Sequence, residues 1–312
     1  MKINSWVDLH THSTASDGTL TPRQLIDSAS EAGLSGLALT DHDTGNGLVE
    51  AQKRAESIGL RFVPGIEISA EYPHPGTLHI LGYFIDPLSP ALGEMSRILL
   101  AGRNARNPRI VKRLNELGCP VTMEQVSEIA HRGVPEGRPV VVGRPHIAQA
   151  LVEANCVATS KQAFDLYLGV TGSAYFDKER LTPRETLDCI HQSGGVAVLA
   201  HPVQLRTGNH AELQNVVGNL KDMGLVGIEA WHSDHRPAES ELFLEIARRY
   251  SLVPTGGSDF HGANKPDINL GLGRNGVRVP MAVLDRLEEF WKTKAYLPKA
   301  IGKSKTESSH AE

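Results

Sequence analysis

Asp8-Leu9-His10-Thr11-His12-Ser13, with Ser16-Asp17-Gly18 close behind, ends the first apolar run of the chain, Trp6 to His10. In an extended chain the side chains at i and i+2 share a face, so His10 and His12 can converge on one ion at the end of a strand. Taken alone, an H-x-H pair is more often a surface feature than a metal site. Here the placement recurs along the chain. Leu39-Thr40-Asp41-His42-Asp43 ends a second apolar run, and Gly65-Ile66-Glu67-Ile68-Ser69 ends a third. Glu67 stands inside an otherwise apolar strand, where a carboxylate is costly unless it is paired or bound to metal. A strand-end ion pair is the plainer alternative. His79 opens a fourth run, Ala200-His201-Pro202 follows a fifth, and Gly257-Ser258-Asp259-Phe260-His261-Gly262 closes the last.

Short apolar runs alternate with stretches of helical period, the pattern of β/α units around a parallel sheet or barrel, so the fold class is α/β. Seven strands are expected: Trp6 to His10, Gly36 to Thr40, Phe62 to Ile68, Leu78 to Phe84, Val196 to Ala200, Val226 to Trp231 and Val253 to Gly257. Thr21-Pro22-Arg23-Gln24 and Thr182-Pro183-Arg184-Glu185 each place Thr at a helix N-cap, Pro at the first helical position and Gln or Glu three residues on. Further starts are expected at Asn107-Pro108 and Arg236-Pro237. Residues 87–180 hold helical patterns without strands and read as a helical insertion, with a flexible segment or lid at His131 to Pro139. The barrel would then comprise residues 1–86 and 181–300, and residues 301–312 a disordered tail.

With 312 residues the chain can bury a sizeable core, and a net charge of -4 supplies no global basic field for duplex nucleic acid. Cys119, Cys156 and Cys189 form no C-x-x-C pair, which speaks against a zinc ribbon or a disulfide framework and fits a reducing cytoplasm. The N-terminus lacks the apolar stretch of a signal peptide, and no run of about 18 apolar residues appears, so a soluble, unprocessed protein without a membrane partner is expected.

In β/α barrels the loops after the strands form one active face and bring distant residues together. His10, His12, His42, His79, His201 and His261 join Asp17, Glu67 and Asp259 in that pattern, six of the 14 histidines. Mixed imidazole and carboxylate ligation without thiolate suits catalytic zinc, manganese or iron. His74, His131, His191, His210 and His310 read as ordinary structural or surface residues.

Read together, residues 8–18 (DLHTHSTASDG), 40–43 (TDHD), Glu67, 200–202 (AHP) and 257–262 (GSDFHG) resemble the ordered motifs of the polymerase and histidinol phosphatase (PHP) phosphoesterases, over roughly residues 6–85 and 186–275. The resemblance implies a distorted seven-stranded (β/α)7 barrel with three divalent ions, manganese first and zinc, iron or magnesium as alternatives. One ion would take His10, His12, Glu67 and Asp259. A second would share Glu67 and add His79 and His201, and a third would use Asp17, His42 and His261. Asp17 stands where some members have histidine, which is similar to the subgroup acting on nucleoside 3',5'-bisphosphates and short RNA ends. Arg103 and Arg106, and Arg144 and His146, resemble that subgroup's phosphate-holding motifs, although Val170 to Tyr175 carries no lysine where relatives often have one. Arginine suits the task, since it can grip a phosphate with paired donors.

The implied reaction is hydrolysis of a phosphomonoester by a metal-bound hydroxide, with Glu67 and Asp259 organising the centre and His235, or its neighbour His232, donating a proton to the leaving oxygen. The expected substrate is a nucleoside 3',5'-bisphosphate. Alternatives are a 5'-3' exonuclease on short oligonucleotides and, in another class, a metal-binding interaction module without turnover. C–N hydrolysis would want a metal-bridging lysine, and none is expected after these strands.

Overall fold

In the computed structural model, which describes residues 5–293 apart from positions 133, 135, 136, 138, 139 and 275, all seven expected runs are strands. They are β1 (Trp6–Asp8), β2 (Gly36–Leu39), β3 (Arg61–Ala70), β4 (Leu78–Tyr83), β5 (Val196–Leu199), β6 (Gly227–His232) and β7 (Val253–Gly257). An eighth strand, β8 (Val279–Pro280), pairs antiparallel with β1, so the sheet runs β7-β6-β5-β4-β3-β2-β1-β8. The count among the described residues is therefore eight, because two paired residues leave no periodicity in a sequence. Much of the suspected lid at His131 to Pro139, and the tail 301–312, lie outside the described residues.

The sheet curls until its ends meet. Just beyond β1 and β7, Asp259 N–H donates to His10 O (2.8 Å) and His12 N–H donates to Phe260 O (2.9 Å). A Cβ on Gly257 would fall 2.4 Å from the His10 backbone nitrogen, so the close approach that brings the edges together requires glycine there.

Side chains alternate across the sheet as the pleat demands. On β5, Val196 and Val198 belong to the inner cluster with Val7, Leu81 and Tyr83, while Ala197 and Leu199 join the outer one beneath the helices. Ile66 and Ile68 on β3 and Ile228 and Ala230 on β6 also face outward, which turns Glu67 and Glu229 into the barrel. Besides the short β8, the parallel rule fails for β4, which is antiparallel to both β3 and β5. Its beginning therefore lies at the rim where the other strands end.

Helices α1 (Pro22–Glu31) and α2 (Leu48–Ile58) cover the first strands, and α1 carries the expected Thr21/Gln24 capping box. The interval after β4 holds α3 (Pro90–Glu116), α4 (Met123–Ala130), α5 (Arg144–Glu153) and the short α6 (Ser160–Ala163), which continues into a π-turn at Phe164–Leu168. The expected helix start at Asn107-Pro108 is corrected, since Pro108 lies inside the 27-residue α3. Proline deletes one N–H from the ladder, but α3 is held by packing along its length: Leu92, Met95 and Leu99 enter the outer barrel core, and Ile110, Val111 and Leu114 enter a separate core among the later helices. α7 (Pro183–Gln192), α8 (His210–Asp222) and α9 (Pro237–Arg249) return to the barrel, with starts at Thr182 and Arg236 as expected. α10 (Met281–Thr293) sends Leu284 and Leu287 into the inner cluster.

Candidate metal centre and substrate pocket

Glu67 is the hub of the rim. Its Oε2 lies 3.2 Å from His10 Nε2, 3.3 Å from His12 Nε2 and 3.1 Å from His42 Nδ1. Its Oε1 lies 2.7 Å from His79 Nδ1 and 2.9 Å from His201 Nε2. His79 reaches this face from the start of its strand because β4 is antiparallel, which corrects the expectation of an all-parallel rim. Asp259 Oδ1 faces His12 Nε2 at 3.3 Å, His261 Nδ1 at 3.4 Å and His10 Nε2 at 3.6 Å. Asp17 Oδ1 lies 3.3 Å from His261 Nε2 and its Oδ2 lies 3.9 Å from His42 Nε2. Asp41 ties down the loop that presents Asp17, accepting from Ser13 N–H (2.8 Å), Ser13 Oγ (2.6 Å) and Ser16 Oγ (2.6 Å).

Buried polar atoms normally have hydrogen-bond partners. Here His10 Nε2, His12 Nε2, His42 Nδ1 and Glu67 Oε2 are buried without one, and they point at each other. Among the described residues four sets offer donor atoms mutually within 4.8 Å: His10, His12 and Glu67; His42, Glu67 and His79; His12, Asp17, His42 and His261; and, behind the first, His10, Glu229 and His232. The nitrogen and oxygen donors fit divalent cations. Charge points the same way. Burial opposes ionisation of Glu67, yet His42, His79 and His10 hold its carboxyl well below the usual range. Burial also opposes a proton on His12, yet Asp259 and Glu67 push its pKa up to about 9, so the carboxylates demand positive charge here. All nine expected ligands meet at this rim, although His42 faces both Glu67 and Asp17 and so bridges two of the expected ion sets.

Backbone strain accompanies the ligands. His201 and Asp259 have φ of 22° and 58°, a left-handed region that costs non-glycine residues energy and persists only where surroundings enforce it. The His201 N–H donates to Glu229 Oε2 (2.7 Å), which helps to enforce it.

A cavity of about 260 Å³ opens beside the rim, between it and the helices that follow β4. Arg103, Arg106 and Arg144, three of the four expected substrate contacts, line it with Lys178 and Arg180. Arg144 donates to Leu168 O (2.9 Å), with its guanidinium carbon 5.8 Å from the Phe164 ring and 5.7 Å from the Tyr175 ring. The fourth, His146, accepts the Gly143 N–H on Nδ1 (3.0 Å) at the start of α5. The cavity wall is built there by Arg144 and Pro145. His235, the expected proton donor, is buried behind His232 against Phe243, with Nδ1 3.1 Å from Ala230 O and Nε2 without a hydrogen-bond partner. Burial, with His232 nearby, pushes its pKa down to about 4, so the ring is neutral at pH 7.

The chain matches the PHP domain over residues 8–223. It belongs to the PHP family. This PHP protein is 34% identical over 257 residues to a phosphoribosyl 1,2-cyclic phosphate 1,2-diphosphodiesterase of Eggerthella lenta, covering 82% of this chain and 94% of that one. It is 32% identical to a 5'-3' exoribonuclease of Haemophilus influenzae, over 81% and 89% of the two chains. It is 31% identical to a 3',5'-nucleoside bisphosphate phosphatase of Chromobacterium violaceum, over 85% and 90%. Among solved structures it is similar to one from Bifidobacterium adolescentis assigned to the metal-dependent phosphoesterases, with a TM-score of 0.80, 33% identity and coverage of 96% and 99%. At that level the PHP protein is a metal-dependent phosphoesterase. No helix among the described residues is long and apolar enough to cross a membrane.

Several residues of this PHP site escaped sequence reasoning. Glu229, fully buried in β6, lies 3.1 Å from His10 Nδ1 and orients that ring. Its signal was readable, since Gly227-Ile228-Glu229 repeats the Gly65-Ile66-Glu67 pattern of a carboxylate in an apolar strand. Lys265 Nζ lies 2.6 Å from Asp259 Oδ2, so a lysine does reach the ligands after β7, held to a carboxylate. Asp43 stood within the TDHD motif but was given no role, and Lys178 and Arg180 carried no local signal. His74, read as ordinary, lines the cavity, and its Nε2 lies 3.2 Å from Asp177 Oδ2.

Proposed function

We propose that the protein releases the 3'-phosphate of nucleoside 3',5'-bisphosphates, with three divalent ions, manganese first, held by His10, His12, Asp17, His42, Glu67, His79, His201, Asp259 and His261. The carrying observation is the surplus of positive charge beside the rim. Six cations line the cavity, Arg103, Arg106, Arg144, Lys178, Arg180 and Lys265, the last paired with Asp259. Asp43 pairs with Arg103 and Lys178, and Asp177 with Arg180. Among the described residues no carboxylate lies within ion-pair distance of Arg106 or Arg144. Burial, with Arg144, Arg103 and Arg180 close by, pushes Arg106 down to about 9, the mark of cations crowded without enough anion. Such a site is preorganised for a second phosphate, and the name of the Chromobacterium relative agrees with that substrate.

When bound, the ions supply Lewis acidity and a nucleophile at neutral pH. The protein's own groups do the rest. Glu229 holds His10 in one ring orientation, and Lys265 holds the outer oxygen of Asp259. Arg144, fixed at Leu168 O and flanked by Phe164 and Tyr175, keeps its other N–H groups in a fixed fork for phosphate oxygens. The helices over the rim wall one side of the cavity with Arg103, Arg106, Arg144 and Pro145. The names of the exoribonuclease relatives favour a second reading, exonucleolytic trimming of short oligonucleotides, with the same rim chemistry.

The test is a metal analysis of the purified protein with a phosphate-release screen over bisphosphates, monophosphates and short oligonucleotides, repeated for His12→Ala and Arg144→Ala. His12→Ala is expected to abolish turnover of every substrate. Arg144→Ala is expected to raise KM chiefly for substrates with two phosphates. A wild type inert towards all of them would overturn the phosphoesterase reading, and equal losses on simple monoesters would remove Arg144 from its role.

A further inference from the structure

Lysine is among the residues least often buried, because its ammonium is strongly hydrated and its stem flexible. Lys178 is nonetheless buried, with its side chain 3% exposed, on the segment that leads from the helical insertion back to α7. Its Nζ lies 2.6 Å from Asp43 Oδ2, the oxygen on which Arg103 also converges. The other oxygen of Asp43 accepts the Ser69 N–H (3.0 Å), and Asp43 itself holds a φ of 58° directly after the rim residue His42. One strained carboxylate thus meets two cations on a single oxygen. A structural ion pair would need only one of them.

The second cation is explained by where it points. Lys178 lines the same cavity as Arg106 and Arg144, and stands beside the loop that carries His42. We propose that Lys178 is a specificity-determining residue whose ammonium binds the second phosphate of the substrate, while Asp43 keeps it aimed into the cavity before the substrate arrives. This rests on the bisphosphate reading of the pocket. Burial and the neighbouring Arg103 push Lys178 down to about 7 even though Asp43 works against them. A phosphate dianion placed beside the ammonium would favour the charged form, so substrate and cation reinforce each other. The arrangement also gives Asp43 a role distinct from its neighbour His42: it serves the substrate side of the pocket.

The readout is a selectivity ratio, kcat/KM for adenosine 3',5'-bisphosphate divided by kcat/KM for adenosine 3'-monophosphate, measured on the metal-loaded enzyme. Lys178→Met is expected to lower that ratio about tenfold or more, as the loss of one charge-assisted hydrogen bond implies. Lys178→Arg should keep it within about threefold, and Asp43→Asn should lower it in the same direction as Lys178→Met. An unchanged ratio in a folded Lys178→Met enzyme overturns the proposal, as does an equal loss on both substrates. If Lys178→Met does not fold, Lys178→Gln reads the same ratio. If the wild type releases no phosphate at all, the phosphoesterase reading fails separately. Calorimetric binding of the two nucleotides to the same proteins then still decides whether Lys178 selects the second phosphate.

Discussion

Glu67 uses both carboxylate oxygens on histidines, three on one side and two on the other, and that is legible from a single residue: an acid within an apolar strand must meet positive charge. Glu229 obeys the same rule one step further from the ions. Burial opposes its ionisation, but His10 and His232 hold it at about 2, so it is a fixed anion behind His10. Glu229→Gln, which keeps the shape and removes the charge, is expected to weaken metal binding by about 10- to 100-fold, measured by metal titration. His235 gives the opposite prediction. Its pKa falls from 6.5 to about 4 on folding, so as pH drops through that interval the unfolded chain takes up a proton that the folded chain refuses. Stability is therefore lost between about pH 6.5 and 4 by up to about 3 kcal/mol from this group. His235→Phe should flatten that loss in denaturant melts at the two pH values while leaving turnover intact, and parallel curves would count against the assignment.

At the scale of elements, strands and helix starts were readable wherever a local rule applied. Thr21 and Thr182 cap their helices as expected because a capping box is a four-residue interaction. Pro108 misled because the local rule for proline was outweighed by packing on both halves of α3. The direction of β4 was not readable at all, since a strand's apolar pattern is the same in either sense. Gly257 belongs to this scale too, as the joint where β7 closes on β1. Gly257→Ala should push His10 away from the rim, lowering stability by about 1–3 kcal/mol and weakening metal binding together, as read from thermal melts with and without manganese. Lost stability with intact metal affinity would show that the joint and the site are independent.

For the whole molecule, the rim gathers carboxylates and imidazoles that only added positive charge reconciles. Ions bound by the folded chain alone stabilise it by mass action, about 2.7 kcal/mol at a hundredfold excess over Kd. Removing them with a chelator should lower Tm, restoring manganese should raise it, and His12→Ala should respond to neither. An identical Tm with and without chelator would argue against a metal-linked fold. The nine candidate ligands were legible in the sequence itself, because residue type and position at the end of an apolar run are local properties. The sense of β4, the closure at Gly257 and the company kept by Lys178, Arg180 and Asp43 were decided only by the tertiary structure. Coulombic partnership depends on distance through space, and residues 43, 103 and 178 come within reach of one another only when the helices after β4 fold back over the rim.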